Sequence, residues 1–151
     1  MSNFNSKIET DYLRKIYFPA QQKKIVDKTA RAILSLNSNK KINAIAFTGT
    51  SGAAVAYPVS YITGIPLLCV RKSKTDNHYH ETLEGYTKPK NYVIIDDCVC
   101  TGKTIKKVKK SIEKYSPKSK LQMVFLYADS YSDTTELERE IGATVKIVGR
   151  R

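Results

Sequence analysis

Apolar positions along the chain fall into short unbroken runs separated by segments with helical periodicity. INAIAFT (Ile42 to Thr48), IPLLCV (Ile65 to Val70), YVIID (Tyr92 to Asp96), LQMVFLY (Leu121 to Tyr127) and ATVKIV (Ala143 to Val148) show little alternation with polar residues. Runs of this length predict strands buried on both faces. Between them, Pro19 opens a predicted helix whose apolar face is carried by Val26, Ala30, Ile33 and Leu34 and runs to Leu36. A second helix is expected from Gly52 to Thr63, kinked by Pro58 and stopped by Gly64. Ile105, Val108, Ile112 and Tyr115 recur at helical spacing until Pro117, and a last helix is centred on Leu137 and Ile141. Strands that alternate with helices predict one doubly wound α/β domain over residues 1–151, with a mainly parallel five-stranded sheet and helices on both faces. Ligands of such sheets sit at the carboxyl ends of the strands. One connection is long: Lys72 to about Asn91 holds Lys72, Lys74, His78, Tyr79 and His80. That content suits a mobile cover over an anion as well as it suits a plain surface loop.

Composition narrows the classes. Of 151 residues 41% are hydrophobic, with ten Tyr and four Phe spread through the chain, which excludes a disordered tail, a collagen-like chain and a coiled coil. A net charge of +12 favours an anionic partner, either a phosphorylated small molecule or a nucleic acid. Cys69, Cys98 and Cys100 are too few for a disulfide framework and have no spaced His partners for zinc. No charged residue occurs from Ile42 to Val70, but three glycines and two prolines interrupt that stretch, and Asn43, Thr50, Ser51 and Ser60 would be unsatisfied in lipid. The first residues carry no apolar signal region. The expectation is a soluble, cytoplasmic protein with no membrane partner.

The chemistry concentrates in YVIIDDCVCTGKTI, Tyr92 to Ile105. An apolar strand delivers two adjacent carboxylates, Asp96 and Asp97, into a loop of small residues that opens a helix. Two neighbouring acids repel each other, so the arrangement calls for hydroxyl donors, a metal or a developing cation. Thr101-Gly102-Lys103-Thr104 supplies backbone N–H groups and hydroxyls at a helix N-terminus, which suits a phosphate. It is not a P-loop, because Asp97 stands where that motif requires its first Gly. Gly49-Thr50-Ser51-Gly52 likewise lacks the G-x-G-x-x-G dinucleotide pattern.

Val93 to Thr104 resembles the signature of the type I phosphoribosyltransferases: an apolar run, two acids, two mostly apolar residues, a small one, then Thr-Gly-x-Thr, with Cys98 a mild departure. Gly49 to Gly52 resembles that family's pyrophosphate loop, and Arg71-Lys72 its Arg-Lys pair. The spacing from Arg71 to Asp96 is similar to that in orotate phosphoribosyltransferases. The resemblance implies transfer of ribose 5-phosphate from phosphoribosyl pyrophosphate (PRPP) to a nucleobase, orotate or a purine, with release of pyrophosphate. Mg²⁺ would be held mainly by the pyrophosphate and the ribose hydroxyls rather than by protein ligands. On this resemblance Asp96 and Asp97 hold the ribose hydroxyls and stabilise positive charge on the ring. Cys100, Thr101, Gly102, Lys103 and Thr104 cradle the 5′-phosphate. Thr50, Ser51, Gly52, Arg71 and Lys72 bind pyrophosphate, and Lys74 and His78 close over the leaving group.

The acceptor base stays open. Cys100 stands where hypoxanthine–guanine enzymes commonly carry an Asp, which weighs against that base. Only residues 1–20 are free to build a minimal base-covering hood, where Tyr12, Tyr17 and Phe18 would stack on a base or simply pack. A homodimer is expected by resemblance. The competing function comes from charge: Lys103 to Lys120 holds eight lysines and one acid, Glu113. A PRPP-sensing regulator that binds RNA or DNA through this Lys-rich surface is the alternative, and a merely solvated helix face is the simpler account.

Overall fold

The computed structural model describes residues 14–71, 83–128 and 133–148. After a short 3-10 turn at Arg14–Tyr17, helix α1 (Pro19–Lys40) leads into β1 (Ala44–Phe47), α2 (Gly49–Thr63) and β2 (Leu67–Val70). Strands β3 (Leu83–Gly85) and β4 (Asn91–Asp96), α3 (Lys103–Tyr115), β5 (Lys120–Leu126), α4 (Thr135–Ile141) and β6 (Thr144–Ile147) follow. The strands form one six-stranded sheet in the order β3-β2-β1-β4-β5-β6. Five are parallel, and β3 runs antiparallel along β2 at one edge. The expected doubly wound α/β architecture is present.

The sheet carries one strand more than the apolar runs predict. Leu83–Gly85 is three residues long and only Leu83 is buried, so no pattern marks it. Its pairing depends on Gly85, which has φ +90° and lies so close to β2 that a Cβ would be 2.4 Å from the Leu67 carbonyl oxygen. Helix α1 also continues beyond the expected Leu36. Asn37 to Lys40 end its apolar stripe but not its hydrogen bonding, and Lys41 closes it in the left-handed conformation with its N–H donated to the Asn37 carbonyl (3.1 Å). Pro58 lies inside α2, whose residues remain helical on both sides of it.

Alternate residues of each central strand face opposite layers, as the strand period requires. Ile45, Phe47, Val93, Ile95 and Phe125 pack with Val26, Ala30 and Ile33 of α1 and Val55 and Val59 of α2. Ala44, Ala46, Ile94, Val124 and Leu126 pack with Ile105, Val108 and Ile112 of α3 and Leu137 and Ile141 of α4. Helices therefore cover both faces. Gln22 of α1 donates to the Ala54 carbonyl of α2 (3.5 Å), while Leu34 and Ile62 line one cleft farther along. The two helices run side by side, so Tyr17 and Phe18, both exposed, lie at the same pole as the start of α2. No helix among the described residues is long and apolar enough to cross a membrane.

Tyr92 is fully buried on β4, and its hydroxyl has no hydrogen-bond partner among the described residues. Burial holds its phenol proton well above the usual range, reinforced by the charge of Glu113. An unpaired buried hydroxyl costs about 1–3 kcal/mol, so removing it relieves the fold. Tyr92→Phe is expected to raise stability by about 1 kcal/mol, read as a melting temperature roughly 2–4 °C higher; a lower value would show that the hydroxyl is satisfied in solution.

Candidate active site at the carboxyl end of the sheet

Asp96 is the last residue of β4, the strand flanked by β1 and β5, and it is 5% exposed. Asp97 is half-buried. The chain turns sharply here because each carboxylate takes the next backbone donor: the Asp97 N–H donates to Asp96 Oδ1 (2.9 Å) and the Cys98 N–H to Asp97 Oδ1 (2.7 Å). The chain leaving β5 holds the same peptides from the other side, with the Tyr127 N–H donated to the Asp96 carbonyl (3.3 Å) and the Ala128 N–H to that of Asp97 (2.9 Å). Burial raises the Cys98 thiol to about 12, with the Asp97, Cys100 and Asp96 neighbours acting in the same direction. The Cys98 proton therefore stays in place at neutral pH.

The loop after the acids ends at Gly102, which caps α3 in the left-handed conformation (φ +72°). A Cβ there would lie 2.7 Å from Leu137 Cδ1, so α4 presses against this turn. The first intrahelical bond of α3 joins the Lys106 N–H to the Gly102 carbonyl (3.0 Å). The amides of Lys103, Thr104 and Ile105 precede it, and a helix start leaves such donors without intrahelical acceptors. Asp96, Asp97, Cys100, Thr101, Gly102, Lys103 and Thr104 share a pocket of about 220 Å³ with Ser51. The sequence-predicted acids and phosphate turn thus meet one residue of the predicted pyrophosphate segment.

That segment is the first turn of α2, not a turn preceding a helix at Gly52. Thr48 is extended and Gly49 has φ +66°, so the chain reverses directly into the helix. The reason is space. A Cβ on Gly52 would lie 3.2 Å from both the Ile95 carbonyl oxygen and Phe47 Cβ, which lets α2 start tight against the ends of β1 and β4. The Tyr127 hydroxyl donates to the Ser51 carbonyl (2.7 Å), and the Thr48 hydroxyl to the Val70 carbonyl (2.6 Å). Tyr127 has no local signal for this role, since its partner lies far away in the chain.

Thr50 and Arg71 meet in a second cleft of about 500 Å³ beside the first, lined also by Phe47, Tyr57, Cys69 and Glu84. Arg71 is exposed and forms an ion pair with Glu84 of β3 (2.6 Å). Sequence reasoning missed Glu84 because β3 itself has no pattern. An exposed pair of this kind is worth about 0–1 kcal/mol, so it offers little resistance to a more highly charged anion. Lys72, Lys74, His78, Tyr79, His80 and Tyr12 lie outside the described residues, as do residues 1–13 of the expected hood. Among the described residues no group of three or more His, Cys, Asp or Glu is arranged to hold a metal.

The profile of the PRTase-CE family matches residues 3–148. No curated protein sequence matches the chain significantly. Among solved structures, the chain is similar to the orotate phosphoribosyltransferase of Francisella tularensis, with 17% identity and a TM-score of 0.68 over 88% of this chain and 68% of that one. It is similar to the adenine phosphoribosyltransferase of Saccharomyces cerevisiae, solved with an imino-altritol bisphosphate and adenine, with 17% identity and a TM-score of 0.72 over 91% and 84%. It is also similar to the orotate phosphoribosyltransferase of Mycobacterium tuberculosis in complex with PRPP, with 15% identity and a TM-score of 0.68 over 91% and 78%. These likenesses show the phosphoribosyltransferase fold.

Two outcomes follow from this geometry. Gly52→Ala gains helix propensity but forces a methyl against two atoms fixed in the sheet. Overpacking of this kind costs about 1–3 kcal/mol, so a net loss is expected in denaturant titration; unchanged stability would show that the strand ends yield. Cys98 has a raised folded pKa, so the stability it contributes is complete below about pH 9 and is lost as pH rises toward 12. The melting temperature is expected to fall less steeply from pH 9 to 11 in Cys98→Ala than in the natural chain; parallel slopes would place the thiol in open solvent.

Proposed function

The chain belongs to the PRTase-CE family, and on that premise we propose that it is a Mg²⁺-dependent phosphoribosyltransferase that moves ribose 5-phosphate from PRPP to a nucleobase and releases pyrophosphate. One observation carries the reading: the paired carboxylates Asp96 and Asp97 share a pocket with the starts of two helices, α3 through Lys103 and Thr104 and α2 through Ser51. Fixed carboxylates beside two positively polarised helix ends match a ligand with hydroxyls in the middle and phosphate groups at both ends.

In the reaction, the bond from the anomeric carbon to pyrophosphate breaks as a bond to a ring nitrogen of the base forms, and the base gives up the proton it held there. Asp96 and Asp97 accept hydrogen bonds from the ribose 2′- and 3′-hydroxyls. Their charge faces the cationic ring that develops between departure and attack, and the burial of Asp96 keeps that charge undiluted by water. The amides and hydroxyls from Cys100 to Thr104 hold the 5′-phosphate. Thr50, Ser51 and Gly52 offer the α2 start to the pyrophosphate, and Arg71 exchanges Glu84 for it with help from Lys72. Lys74 and His78 cover the leaving group and exclude water.

Mg²⁺, which keeps several waters and is bound through substrate phosphates rather than by a dedicated protein cage, would be held mainly by the pyrophosphate and by the ribose hydroxyls that Asp96 and Asp97 orient. When bound, the ion neutralises charge on the departing pyrophosphate. Orotate and the purines are the candidate acceptors, and exposed Tyr17 and Phe18 stand at the correct pole to stack on a planar base. The reading includes a homodimer: Leu34, Tyr57, Tyr61 and Ile62 leave apolar surface exposed on α1 and α2, which a second copy would cover.

The test is pyrophosphate release from PRPP with Mg²⁺ across orotate, uracil, adenine, hypoxanthine, guanine, xanthine and nicotinate. Release is expected with one base, and Asp96→Asn with Asp97→Asn is expected to slow it about 10²–10³-fold. Silence with every base, in a protein that still binds PRPP, would overturn the reading in favour of a PRPP sensor.

A further inference from the structure

The pole of the sheet opposite the carboxylates gathers lysines from three segments of the chain. Parallel strands β1, β4 and β5 all begin there, and the segments that feed them are drawn together by hydrogen bonds. The Lys90 and Asn91 N–H groups both donate to Asn43 Oδ1 (3.1 Å each), and the Asn43 N–H donates to the Asn91 carbonyl (2.9 Å). The Lys120 N–H donates to the Lys90 carbonyl (2.8 Å), and the Ser116 hydroxyl to the Pro89 carbonyl (3.1 Å). These contacts place the end of α1, the β3–β4 connection and the α3–β5 connection side by side. Residues 40–43, 86–91 and 114–122 hold seven lysines and no acid.

All seven of these lysines are exposed, and none forms an ion pair among the described residues. The outer face of α3 is different. There Lys106 pairs with Glu140 (2.5 Å) and Lys109 with Glu113, so part of the lysine run that dominates the sequence is neutralised. A surface built only for solubility intersperses the two signs. Lysines gathered from three separate segments repel one another and add nothing to the fold, and the adjoining acid, Glu113, is taken up by Lys109. Two aromatic rings stand in the same patch. Tyr86 is 42% exposed, its N–H tied to the Leu67 carbonyl (2.8 Å). Tyr115, expected on the apolar side of its helix, is 47% exposed, with the Lys114 ammonium 5.7 Å from its ring centroid.

We propose that this lysine pole binds single-stranded nucleic acid, the lysines taking the phosphate backbone and Tyr86 and Tyr115 stacking on bases. Repeated ammonium groups on backbone segments held in fixed register suit a regularly spaced polyanion, and exposed rings within a basic surface are what unpaired bases stack on. The patch is separated from Asp96 by the length of β4, roughly 17 Å at the usual rise per residue. A strand bound there leaves the carboxylate pocket open. The inference does not depend on the proposed transferase activity.

The test is fluorescence anisotropy of a labelled 20-nucleotide oligouridine, titrated with the full chain at several salt concentrations. Lys88, Lys90, Lys118 and Lys120 are replaced together by Gln, and an equal charge change at Lys23, Lys24, Lys28 and Arg31 on α1 serves as the control. Both variants are checked for a native circular dichroism spectrum and melting transition, and for unchanged PRPP binding. Binding is expected for the natural chain. The pole variant is expected to lose more than about ten-fold in affinity at low salt, and its dependence of log affinity on log salt to shallow by about 3. The control is expected to change less than about two-fold. No binding by the natural chain, or equal losses in the two variants, would overturn the proposal, as would capture by anionic phospholipid vesicles without capture of the oligonucleotide.

Discussion

Everything at the carboxyl pole hangs on how closely α2 approaches the sheet. Gly52 brings its backbone to the ends of β1 and β4, where a Cβ would meet Phe47 and Ile95 at 3.2 Å. That approach puts Ser51 in one pocket with Asp96 and Asp97 and leaves Thr50 in the neighbouring cleft with Arg71. Tyr127, just past the end of β5, fixes it by donating its hydroxyl to the Ser51 carbonyl. Three elements distant in sequence thus set one another's positions. A residue larger than glycine at position 52 would press on Phe47 and Ile95 and part the start of α2 from the acids.

The second close contact is between α3 and α4. Gly102 needs its left-handed backbone to turn the chain from the acid pair into α3, and Leu137 of α4 fills the space its missing Cβ leaves. A buried aliphatic side chain therefore supports the turn from behind, so that the loop amides are presented by a packed structure rather than by a free loop. The two poles of the sheet differ in charge. One holds Asp96 and Asp97 together with Lys103 and the Arg71–Glu84 pair, so both signs meet there, whereas the other begins in lysines drawn together by the Asn43, Asn91 and Lys90 hydrogen bonds. The five parallel strands make this separation possible, because all of them start at one end and exit at the other, with only the edge strand β3 reversed.

How much was legible follows from the range of the forces involved. The runs around Ile45, Leu68, Ile94, Phe125 and Val145 read as strands because burial on both faces demands continuous apolar sequence. The acid pair and the Thr-Gly-Lys-Thr turn read as a site because their order along the chain is the order in which a strand exit, a loop and a helix start meet a ligand. Strand β3 was not legible: an edge strand of three residues is stabilised by its partner, Leu67 to Val70, and by the absence of a Cβ on Gly85, neither of which leaves a local pattern. The Arg71–Glu84 pair was hidden with it.

The amino-acid sequence by itself determined the α/β class, the order of five of the six strands and of the helices between them, the adjacency of the acid pair and the Thr-Gly-Lys-Thr turn, and the excess of lysine. These follow from local periodicity and from chemical groups adjacent in the chain. Only the tertiary structure decided that Gly49 to Gly52 form a helix turn rather than a loop, that Tyr127 anchors it, and that Arg71 answers to Glu84. It alone gathered Lys41, Lys90 and Lys120 onto one surface while neutralising Lys106 and Lys109 on another. The physical reason is common to all of these: close approach, pairing and charge neighbourhood depend on distances between segments far apart in the chain, and those distances exist only once the sheet has closed its register.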